Sequence, residues 1–424
     1  MHDINLIRNN PGTIQDAIAK RGITVDFTAL LRLDEKKRKT QTDLEGFKAE
    51  KNRASTEISK ITDRAEKEKR VQQMKTLGES ISSFEKVLEK LEGEIYDIMS
   101  VIPNIVLPEV GTGGKESNKV VKTFGEKPKF DFKPKDHVEL CTTLGLIDYE
   151  RGTKMSGSGH WVYTGMGARL ELALWNYFID YHVANGYTLI MPPHILNYES
   201  GYAAGQFPKY QDEVFLLQLG KDGDKMKQRF LLPTSETALI NMHRGEIIPM
   251  DKLPIKYAGF SPCYRGEPGG YGKTERGSIR GHQFNKVEMY AFCMPNQSYA
   301  IHDEFTRHAE SLVEGLGLHY QTCLLAAGDT GPVMAKTYDI EVFIPSMDVY
   351  KEVSSNSNAL DFQTRRALIR TKVGDKTEYL HTLNASGLAT SRIIPAIVEQ
   401  FQTKDGRVRV PSVLQKYLGG IDLI

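Results

Sequence analysis

Two stretches near the N-terminus repeat apolar or small residues at steps of three, four and seven. The first series is Leu30, Leu33, Thr40, Leu44, Phe47, Ala54, Ile58 and Ile61, and the second is Val71, Met74, Ile81, Phe84, Leu88, Leu91, Ile95 and Ile98. This spacing is typical of a coiled-coil seam. The short polar segment 62–66 between the two series predicts a reversal, and hence two antiparallel helices closed into a hairpin. Each helix of about 30 residues would be about 45 Å long.

The predicted hairpin is dense in charge. Of the 60 residues from Asp34 to Gly93, 15 are Lys or Arg and 13 are Asp or Glu, so the segment cannot form a globular core. Its basic clusters at 36–39 and 67–70 fit a dimerisation or spacer coiled coil, a solvated face, or a rod that contacts nucleic-acid phosphates without reading bases. The residue pattern alone leaves these three interpretations open.

A change of composition separates this segment from the rest of the chain. After Pro103 come a short apolar run and the glycine-rich residues 111–114, which indicate a linker. The expected organisation is an N-terminal domain over 1–110 with a helical arm over about 28–100, a linker over 111–120, and a second domain over 121–424.

The second domain contains a predicted helix followed by a predicted strand. The pattern over 168–185 is helical, and residues 187–191 predict a short strand that Pro192 and Pro193 end. By itself this unit is typical of a scaffold or a subunit interface.

Two later segments, 255–265 and 284–292, predict strands with two different faces. Alternation gives one face to the core residues Val287, Met289 and Ala291. The opposite face comprises Phe284, Lys286, Glu288 and Tyr290. Two aromatic and two charged side chains on one face indicate that this face of the sheet meets either solvent or a ligand.

The loop between these strands, residues 266–281, is basic and rich in glycine. It carries Lys273, Arg276 and Arg280 among six glycines, which suits a flexible flap over a polyphosphate or an RNA end. A generic basic hairpin would explain the loop alone. It would not explain why Arg265 and Glu288 occur together on the two strand segments that flank the loop.

Two further blocks carry candidate metal and phosphate ligands. Residues 338–344 and 349–355 predict paired strands, and Glu352 with Ser355 offers two oxygens to Mg²⁺, although Glu-x-x-Ser alone is not a metal motif. Arg392 lies where a helix through about Gln402 is expected to open, so it would set a fixed cation beside backbone N–H groups.

Composition narrows the class of protein. The chain has 424 residues, 40% of them apolar and 26% charged, which fits a globular protein and excludes wholesale disorder, collagen and a disulfide scaffold. The net charge is only +1, so a nucleic acid would have to meet local patches. Four separated cysteines without a C-x-x-C pair favour a reducing compartment and no zinc. With no signal-peptide core and no apolar run of about 18 residues, we expect a cytoplasmic protein without a membrane partner.

Taken in order, these blocks resemble the class II aminoacyl-tRNA synthetases, and specifically the seryl-tRNA synthetase family of bacterial type, over essentially the whole chain. Residues 168–193 are similar to motif 1, 255–292 to motif 2 and 384–402 to motif 3. LLPTSE, KEVSSNSNALDFQTRR and RVRVPSVLQKYLGG are typical of the seryl branch. The resemblance implies an α+β fold, in which helices flank an antiparallel sheet and an antiparallel two-helix coiled-coil arm for tRNA precedes it.

The resemblance also implies roles in the ATP-dependent activation of L-serine and its transfer to tRNA. The catalytic residues would be Arg265, Arg392 and Glu352. The serine site would comprise Thr234, Ser235, Glu236, Arg265, Glu288, Asn384 and Ser386. The ATP site would comprise Arg265, Gly266, Glu267, Gly281, Phe284, Glu352, Val353, Ser354, Ser355 and Arg392. Glu352 and Ser355 would hold Mg²⁺.

The implied partners are tRNA(Ser), tRNA(Sec), which shares its long variable arm, and a second copy of the chain in a homodimer. The sequence departs from the family pattern at Thr390-Ser391, where many relatives have Val-Gly, and at Asn356, where many have Cys. A paralogue that passes an amino acid to a carrier protein or small molecule is an alternative, but such relatives tend to lack the arm. A non-catalytic tRNA-binding paralogue is another, and it should have lost charged pocket residues.

Overall fold

The chain folds into two compact units in the computed structural model, which describes residues 1–218, 228–267 and 277–424. The smaller unit comprises His2–Asp16 and Thr24–Ile102, and the larger comprises Met1, Ala17–Ile23 and Pro103–Ile424. The larger unit thus begins before residue 110, where we expected the N-terminal domain to end.

Arg21 explains why a short N-terminal segment belongs to the larger unit. Its guanidinium is buried and donates to the carbonyl oxygens of Asn104 at 2.8 Å and Thr330 at 2.7 Å. Among the described residues its hydrogen-bond partners are carbonyl oxygens and not carboxylates, and burial lowers the pKa of Arg21 to about 10.

The smaller unit is helical. Its helices are α1 (Ile4–Asn9), α2 (Pro11–Ala19), which continues into the larger unit, α3 (Thr28–Ile58) and α4 (Arg64–Val101). Asp63 caps α4, because its side chain accepts a hydrogen bond from the Glu66 backbone N–H at 2.8 Å. The polar segment 62–66 therefore supplies both the reversal and the start of the second long helix.

Contacts between α3 and α4 run in opposite directions along the two helices. Lys37 pairs with Glu92 at 2.9 Å and Lys48 with Glu85 at 2.7 Å, so residue numbers fall on α4 as they rise on α3. The Phe47 and Phe84 rings meet edge to face with their centroids 5.1 Å apart. The predicted antiparallel hairpin is confirmed.

The larger unit combines helices with one dominant sheet. Its helices in the described residues are α5 (His137–Thr143), α6 (Tyr149–Ser156), α7 (Gly165–Ala184), α8 (Tyr198–Ala204), α9 (Glu236–Leu239), α10 (Ser298–Gly315), α11 (Phe362–Ala367), α12 (Thr390–Gln400) and α13 (Ser412–Gln415). Its strands there are β1 (Lys119–Phe124), β2 (Ile147–Asp148), β3 (Val162–Tyr163), β4 (Thr188–Ile190), β5 (Ile195–Asn197), β6 (Leu216–Leu217), β7 (Arg229–Leu231), β8 (Ile247–Ile248), β9 (Ile255–Tyr264), β10 (Gln283–Cys293), β11 (Tyr320–Leu324), β12 (Lys336–Ile344), β13 (Val349–Leu360), β14 (Arg370–Val373), β15 (Lys376–Tyr379) and β16 (His381–Ala389). Strand β1 starts inside the segment expected to be a linker.

In the part of the chain that the structure describes, the dominant sheet has eight strands in the order β1-β11-β12-β13-β16-β10-β9-β4. Its neighbours are antiparallel except β4, which pairs in parallel with β9. Helices α7, α10 and α12 pack on it around a large apolar core. The predicted fold class, an antiparallel sheet flanked by helices, is confirmed.

Strands β9 and β10 form the predicted pair. Val287, Met289 and Ala291 lie fully buried in the main core, as alternation predicted. The opposite face changes along its length, because Tyr290 is fully buried in a second apolar cluster. Tyr290 is therefore not a ligand-facing residue, although the pattern grouped it with Phe284 and Lys286.

The block from Asn384 to Arg392 divides between a strand and a helix. Residues up to Ala389 belong to β16, which pairs with both β10 and β13, and α12 starts only at Thr390. Arg392 does lie in the first turn of a helix, as predicted. Lys273 and Arg276 of the predicted basic flap lie outside the described residues.

Candidate active site

Three adjoining cavities form a cleft lined by residues of β10, β12, β13 and β16 and by the segments next to them. Arg280 lines all three, Arg265 and Glu267 line two, and Glu352 and Arg392 also line two. The cleft is thus continuous and lined by both cations and carboxylates.

Arg265 and Phe284 form one wall of the cleft. The Arg265 guanidinium lies 5.2 Å from the centre of the Phe284 ring, and its Nε donates to the Pro233 carbonyl at 3.2 Å. These contacts hold the Arg265 guanidinium beside the aromatic face of Phe284. A planar ring and a fixed cation suit a nucleotide, whose base stacks and whose phosphates are anionic.

Gly281 brings the backbone close to this wall. A Cβ built on Gly281 would lie 2.2 Å from Cζ3 of Trp161 and 2.8 Å from the Gly159 carbonyl oxygen, so no side chain fits there. Trp161 was not singled out by the sequence, because nothing in its local pattern indicates that it packs against Gly281.

Arg392 lines the first and second cavities and is held there by backbone carbonyls. Its Nε donates to the Ile279 carbonyl at 3.1 Å and its Nη1 to the Glu352 carbonyl at 2.7 Å, while Glu352 Oε2 lies 3.5 Å from Nη1. The guanidinium is therefore anchored to β13 by the backbone and paired only loosely with a carboxylate.

Glu267 and Arg280 both line the cleft and form an ion pair. Arg280 Nε donates to Glu267 Oε2 at 2.7 Å, and Arg280 Nη2 contacts the same oxygen. Glu267 has φ +41°, a conformation that a non-glycine residue rarely adopts. The backbone directs this carboxylate into the cleft, where a nucleotide base would have to share it with Arg280.

An acidic group lines the second cavity, with Asp339, Glu341, Glu352 and Ser355 among its residues. Asp339 and Ser355 are opposite each other on β12 and β13. Burial, with Glu352 and Glu341 nearby, raises the pKa of Asp339 well above its ordinary value, although the Ser355 hydroxyl hydrogen-bonds to it. One buried oxygen of Asp339 has no hydrogen-bond partner. This excess of oxygen ligands and negative charge fits a cation.

Within the described ranges, no group of three or more His, Cys, Asp or Glu side chains is arranged to hold a metal ion. Mg²⁺ commonly binds one or two protein oxygens, with the remaining ligands coming from phosphates and water. Glu352 and Ser355 fit that pattern.

A buried polar pocket adjoins Arg265. Lys286 and Glu288 are 5% and 1% exposed and form an ion pair between Lys286 Nζ and Glu288 Oε2. Lys286 Nζ also donates to Thr234 Oγ1 at 2.8 Å. Lys286 was on the predicted polar face but had no predicted role, and here it joins two of the predicted serine ligands.

Asn384 joins Glu288 to a second carboxylate. Its Nδ2 lies 3.2 Å from both Glu236 Oε2 and Glu288 Oε1, and its own Oδ1 is buried without a partner. Burial and the nearby Glu288 charge raise the pKa of Glu236 to about 7. Two carboxylates around one amide donor form a site that a cation such as an ammonium group would stabilise.

Most of the predicted site residues line this cleft: Thr234, Glu236, Arg265, Glu267, Gly281, Phe284, Glu352, Val353, Ser355, Asn384, Ser386 and Arg392. Four do not line the three cavities: Ser235, Gly266, Glu288 and Ser354. The Ser235 hydroxyl is buried against that of Ser261 at 2.6 Å, and the Ser354 hydroxyl donates to the Ser386 carbonyl. The Gly266 N–H donates to the Glu213 carbonyl at 2.7 Å. Glu288 contacts two residues that do line the cleft, Lys286 and Asn384.

The unusual Thr390 joins the three motif regions. Its hydroxyl donates to Glu171 Oε1 at 2.5 Å, and the Asn285 side chain donates to the same oxygen at 2.8 Å. Glu171 lies on α7, Asn285 on β10 and Thr390 at the start of α12. A valine at position 390 could not make this bond, so the departure from the family pattern adds a buried hydrogen bond.

Glu171 gives the larger unit a pH-dependent stability that can be measured. The side chain is buried, and burial raises its pKa from 4.5 to about 7. The native state therefore binds this proton more tightly than the unfolded state, so the stabilisation is present below pH 4.5 and is lost as pH rises to 7. The Glu171→Gln variant keeps the acceptor oxygen but cannot ionise. Relative to this variant, the free energy of unfolding of the wild type should fall by on the order of 3 kcal/mol between pH 4.5 and pH 7.

Urea unfolding of both proteins at pH 5 and pH 8 measures this difference. Glu236 also has a raised pKa, but it is common to both proteins and cancels. Identical pH dependence of the two would contradict the assignment to Glu171.

Comparison with known proteins agrees with this description. Residues 219–401 match the family model described as the tRNA synthetase class II core domain (G, H, P, S and T), and residues 1–106 match the seryl-tRNA synthetase N-terminal domain. The chain is 53% identical to serine–tRNA ligase 2 of Clostridium acetobutylicum, with 99% of each chain covered. It is 41% identical to serine–tRNA ligase of Geobacter sulfurreducens, with 100% of each covered.

Solved structures give the same result. Seryl-tRNA synthetase from Pyrococcus horikoshii complexed with ATP matches with a TM-score of 0.90 and 32% identity, covering 100% of this chain and 99% of that one. Cytoplasmic serine–tRNA ligase from Naegleria fowleri in complex with AMP matches with a TM-score of 0.86 and 31% identity, covering 100% and 98%.

The antiparallel sheet, the cleft lined by several arginines and the matching core-domain family model define a class II aminoacyl-tRNA synthetase. Among these ligases, the chain belongs to the seryl-tRNA synthetase family and is an enzyme of the serine–tRNA ligase type. None of the helices in the described ranges has the length and apolar character needed to span a membrane.

Proposed function

We propose that this enzyme condenses L-serine with ATP to form seryl-adenylate and then transfers the seryl group to the 3′ end of tRNA(Ser). The observation that carries this proposal is the continuity of the cleft, in which Arg265 borders both the Phe284 wall and the pocket of Glu236. A nucleotide and an amino acid bound at these two places would meet at Arg265.

The ATP-binding roles follow from the charges and shapes in the cleft. Phe284 would stack on the adenine, Glu267 would accept from the adenine edge, and Gly281 would approach the nucleotide with its backbone. Arg265 would hold the α-phosphate and Arg392 the γ-phosphate side. The separate backbone anchors of the two arginines support this division.

The amino-acid roles fall to the buried pocket. Glu288 and Glu236 would receive the ammonium and hydroxyl groups of serine, and Thr234, Asn384 and Ser386 would complete the pocket. Alanine lacks the hydroxyl, so it would leave buried polar groups unpaired and would be rejected. Ser235 would act through its backbone, because its hydroxyl is already bonded to Ser261.

The reaction requires positioning and charge neutralisation more than covalent participation by the protein. A serine carboxylate oxygen bonds to the α-phosphorus, the bond from that phosphorus to the bridging oxygen breaks, and pyrophosphate leaves with the electron pair. Arg265 and Arg392 hold the phosphates in line and stabilise their charge. The terminal adenosine hydroxyl of tRNA then takes the seryl group, and AMP leaves.

Glu352 and Ser355 are the proposed Mg²⁺ ligands. The acidic cavity lined by Asp339, Glu341 and Glu352 supports a cation there, and one buried oxygen of Asp339 has no hydrogen-bond partner among the described residues. When bound, Mg²⁺ would neutralise phosphate oxygens of ATP.

We assign tRNA binding to the N-terminal domain, with the α3–α4 hairpin as its arm, and catalysis to residues 121–424. The family's use of the long variable arm of tRNA extends the proposal to tRNA(Sec), which the same enzyme would charge with serine. Because charged tRNA is consumed by ribosomes, the proposed compartment is the cytoplasm.

The motif 1 region supports a homodimer. Several of its apolar side chains are exposed: Leu172 is 53%, Val183 48%, Leu189 39% and Met191 75% exposed. Burying this surface against a second copy would be favourable.

ATP–pyrophosphate exchange with each of the twenty amino acids, followed by charging of total tRNA, tests the proposal. We expect serine to support the fastest exchange and to be transferred to tRNA. Serine exchange without transfer would favour a paralogue that acts on a carrier or small molecule. No exchange with any amino acid would favour a non-catalytic tRNA-binding protein.

A further inference from the structure

Gln363 lies beneath the serine pocket, in the FQTRR stretch whose role the sequence left unassigned. It belongs to α11 and is 1% exposed. Its Nε2 donates to Glu236 Oε1 at 2.6 Å and to the Ala204 carbonyl at 3.0 Å. Its Oε1 accepts from the Tyr290 hydroxyl at 2.8 Å and from the Thr382 hydroxyl at 2.7 Å. Both ends of the buried amide are thus hydrogen-bonded.

The orientation of this amide follows from its partners. The Ala204 carbonyl can only accept, so the NH₂ end of Gln363 must face it. The same NH₂ group then faces Glu236 Oε1, which must accept. The hydroxyls of Tyr290 and Thr382 meet the other end and hold the amide in this orientation.

The orientation of the Gln363 amide affects the substrate pocket through Glu236. With Oε1 bonded to Gln363, Oε2 is the oxygen that faces Asn384 Nδ2 at 3.2 Å. Asn384 Nδ2 also contacts Glu288 Oε1. The orientation of the Glu236 carboxylate therefore fixes the geometry of the Glu236–Glu288 pair around Asn384. Losing the Gln363 donor would leave a buried carboxylate oxygen unpaired and free to rotate.

We propose that Gln363 is a positioning residue for serine, which orients the Glu236 carboxylate from below while Tyr290 and Thr382 lock its amide. This inference rests on the proposed function, because it requires Glu236 to be part of the serine pocket. It gives a role to Tyr290, which alternation put on the polar face and the fold buries.

Gln363→Met tests the inference, because methionine has a similar length and shape but no donor. We expect the KM for serine in pyrophosphate exchange to rise about 10- to 100-fold, as for a lost hydrogen bond to a charged group, with the KM for ATP changed less than about 2-fold. Thr382→Val is the matched control: it removes a bond at the far end of the amide and should raise the serine KM by a smaller factor.

A merely structural role would lower the melting temperature and affect both substrates alike, so equal rises in the two KM values would overturn the inference. An unchanged serine KM would do the same. If Gln363→Met does not fold, the Tyr290→Phe, Thr382→Val double variant replaces it, and a serine-specific rise in KM is again required. A wild-type enzyme without serine-dependent exchange would instead overturn the proposed function itself.

Discussion

Replacing Arg265 with alanine is expected to lower serine-dependent pyrophosphate exchange by at least about 100- to 1,000-fold, the range for losing one preorganised donor to a developing charge. Arg265 follows β9 at the junction of the Phe284 wall and the Glu236 pocket. No other described arginine borders both cavities except Arg280, which is already paired with Glu267. Loss of Arg265 should therefore affect the chemical step and the positions of both substrates.

The measurement is steady-state exchange as a function of ATP and of serine. Arg265→Lys should retain the charge but recover only part of the rate, because an ammonium group cannot make the paired contacts of a guanidinium. Arg244→Ala, at an exposed position outside the three cavities, controls for the loss of a positive charge elsewhere. Near-normal exchange by Arg265→Ala would remove this residue from the ATP site.

The residues around Arg265 illustrate what a sequence can predict. Strands β9 and β10 are long and alternate regularly, so Val287 and Met289 could be assigned to the core and Phe284 and Lys286 to the polar face. The heptads of α3 and α4 are predictable for the same reason, because their periods persist for several turns. Regular repetition provides many independent residues in support of one assignment.

Strand β16 shows where such patterns fail. Its residues Asn384, Ala385, Ser386 and Gly387 have little β-propensity, and only pairing with strands on both sides makes this segment extended. The small residues are required by the packing, since a Cβ on Gly387 would lie 2.4 Å from Nε2 of His182. A local pattern could not reveal this steric requirement at Gly387, because His182 lies on α7, far away in sequence.

The polar contacts behind the site are equally non-local. Gln363 and Glu236 are 127 residues apart, and Thr390 and Glu171 are 219 apart. Ser235 differs from its neighbours for a local reason: it precedes the short helix α9, so Thr234 and Glu236 line the cleft while its own hydroxyl turns away to Ser261. The family resemblance named all three residues of this stretch, but only the folded backbone distinguishes their directions.

Shortening the helical arm is expected to separate the two half-reactions. Phe47 and Lys48 lie opposite Phe84 and Glu85, so residues 49–83 can be replaced by a short glycine-serine turn while the inner hairpin is kept. This cut also keeps the partly buried ion pair between Arg8 and Asp34, at 2.7 Å, which a deletion starting at Asp34 would break. We expect pyrophosphate exchange within about 2-fold of wild type and charging of tRNA(Ser) reduced at least about 100-fold, through lost phosphate contacts.

A full-length variant distinguishes charge from length. Reversing Lys67, Lys69 and Arg70 to glutamate keeps α4 intact but removes a basic cluster from its first turns. If the arm binds the tRNA backbone, this variant should raise the KM for tRNA and weaken its dependence on salt, because fewer counterions are released on binding. Normal charging by both variants would make the arm a spacer or a dimerisation element. Impaired charging by the shortened enzyme alone would mean that the arm acts through its reach and shape more than through these three charges.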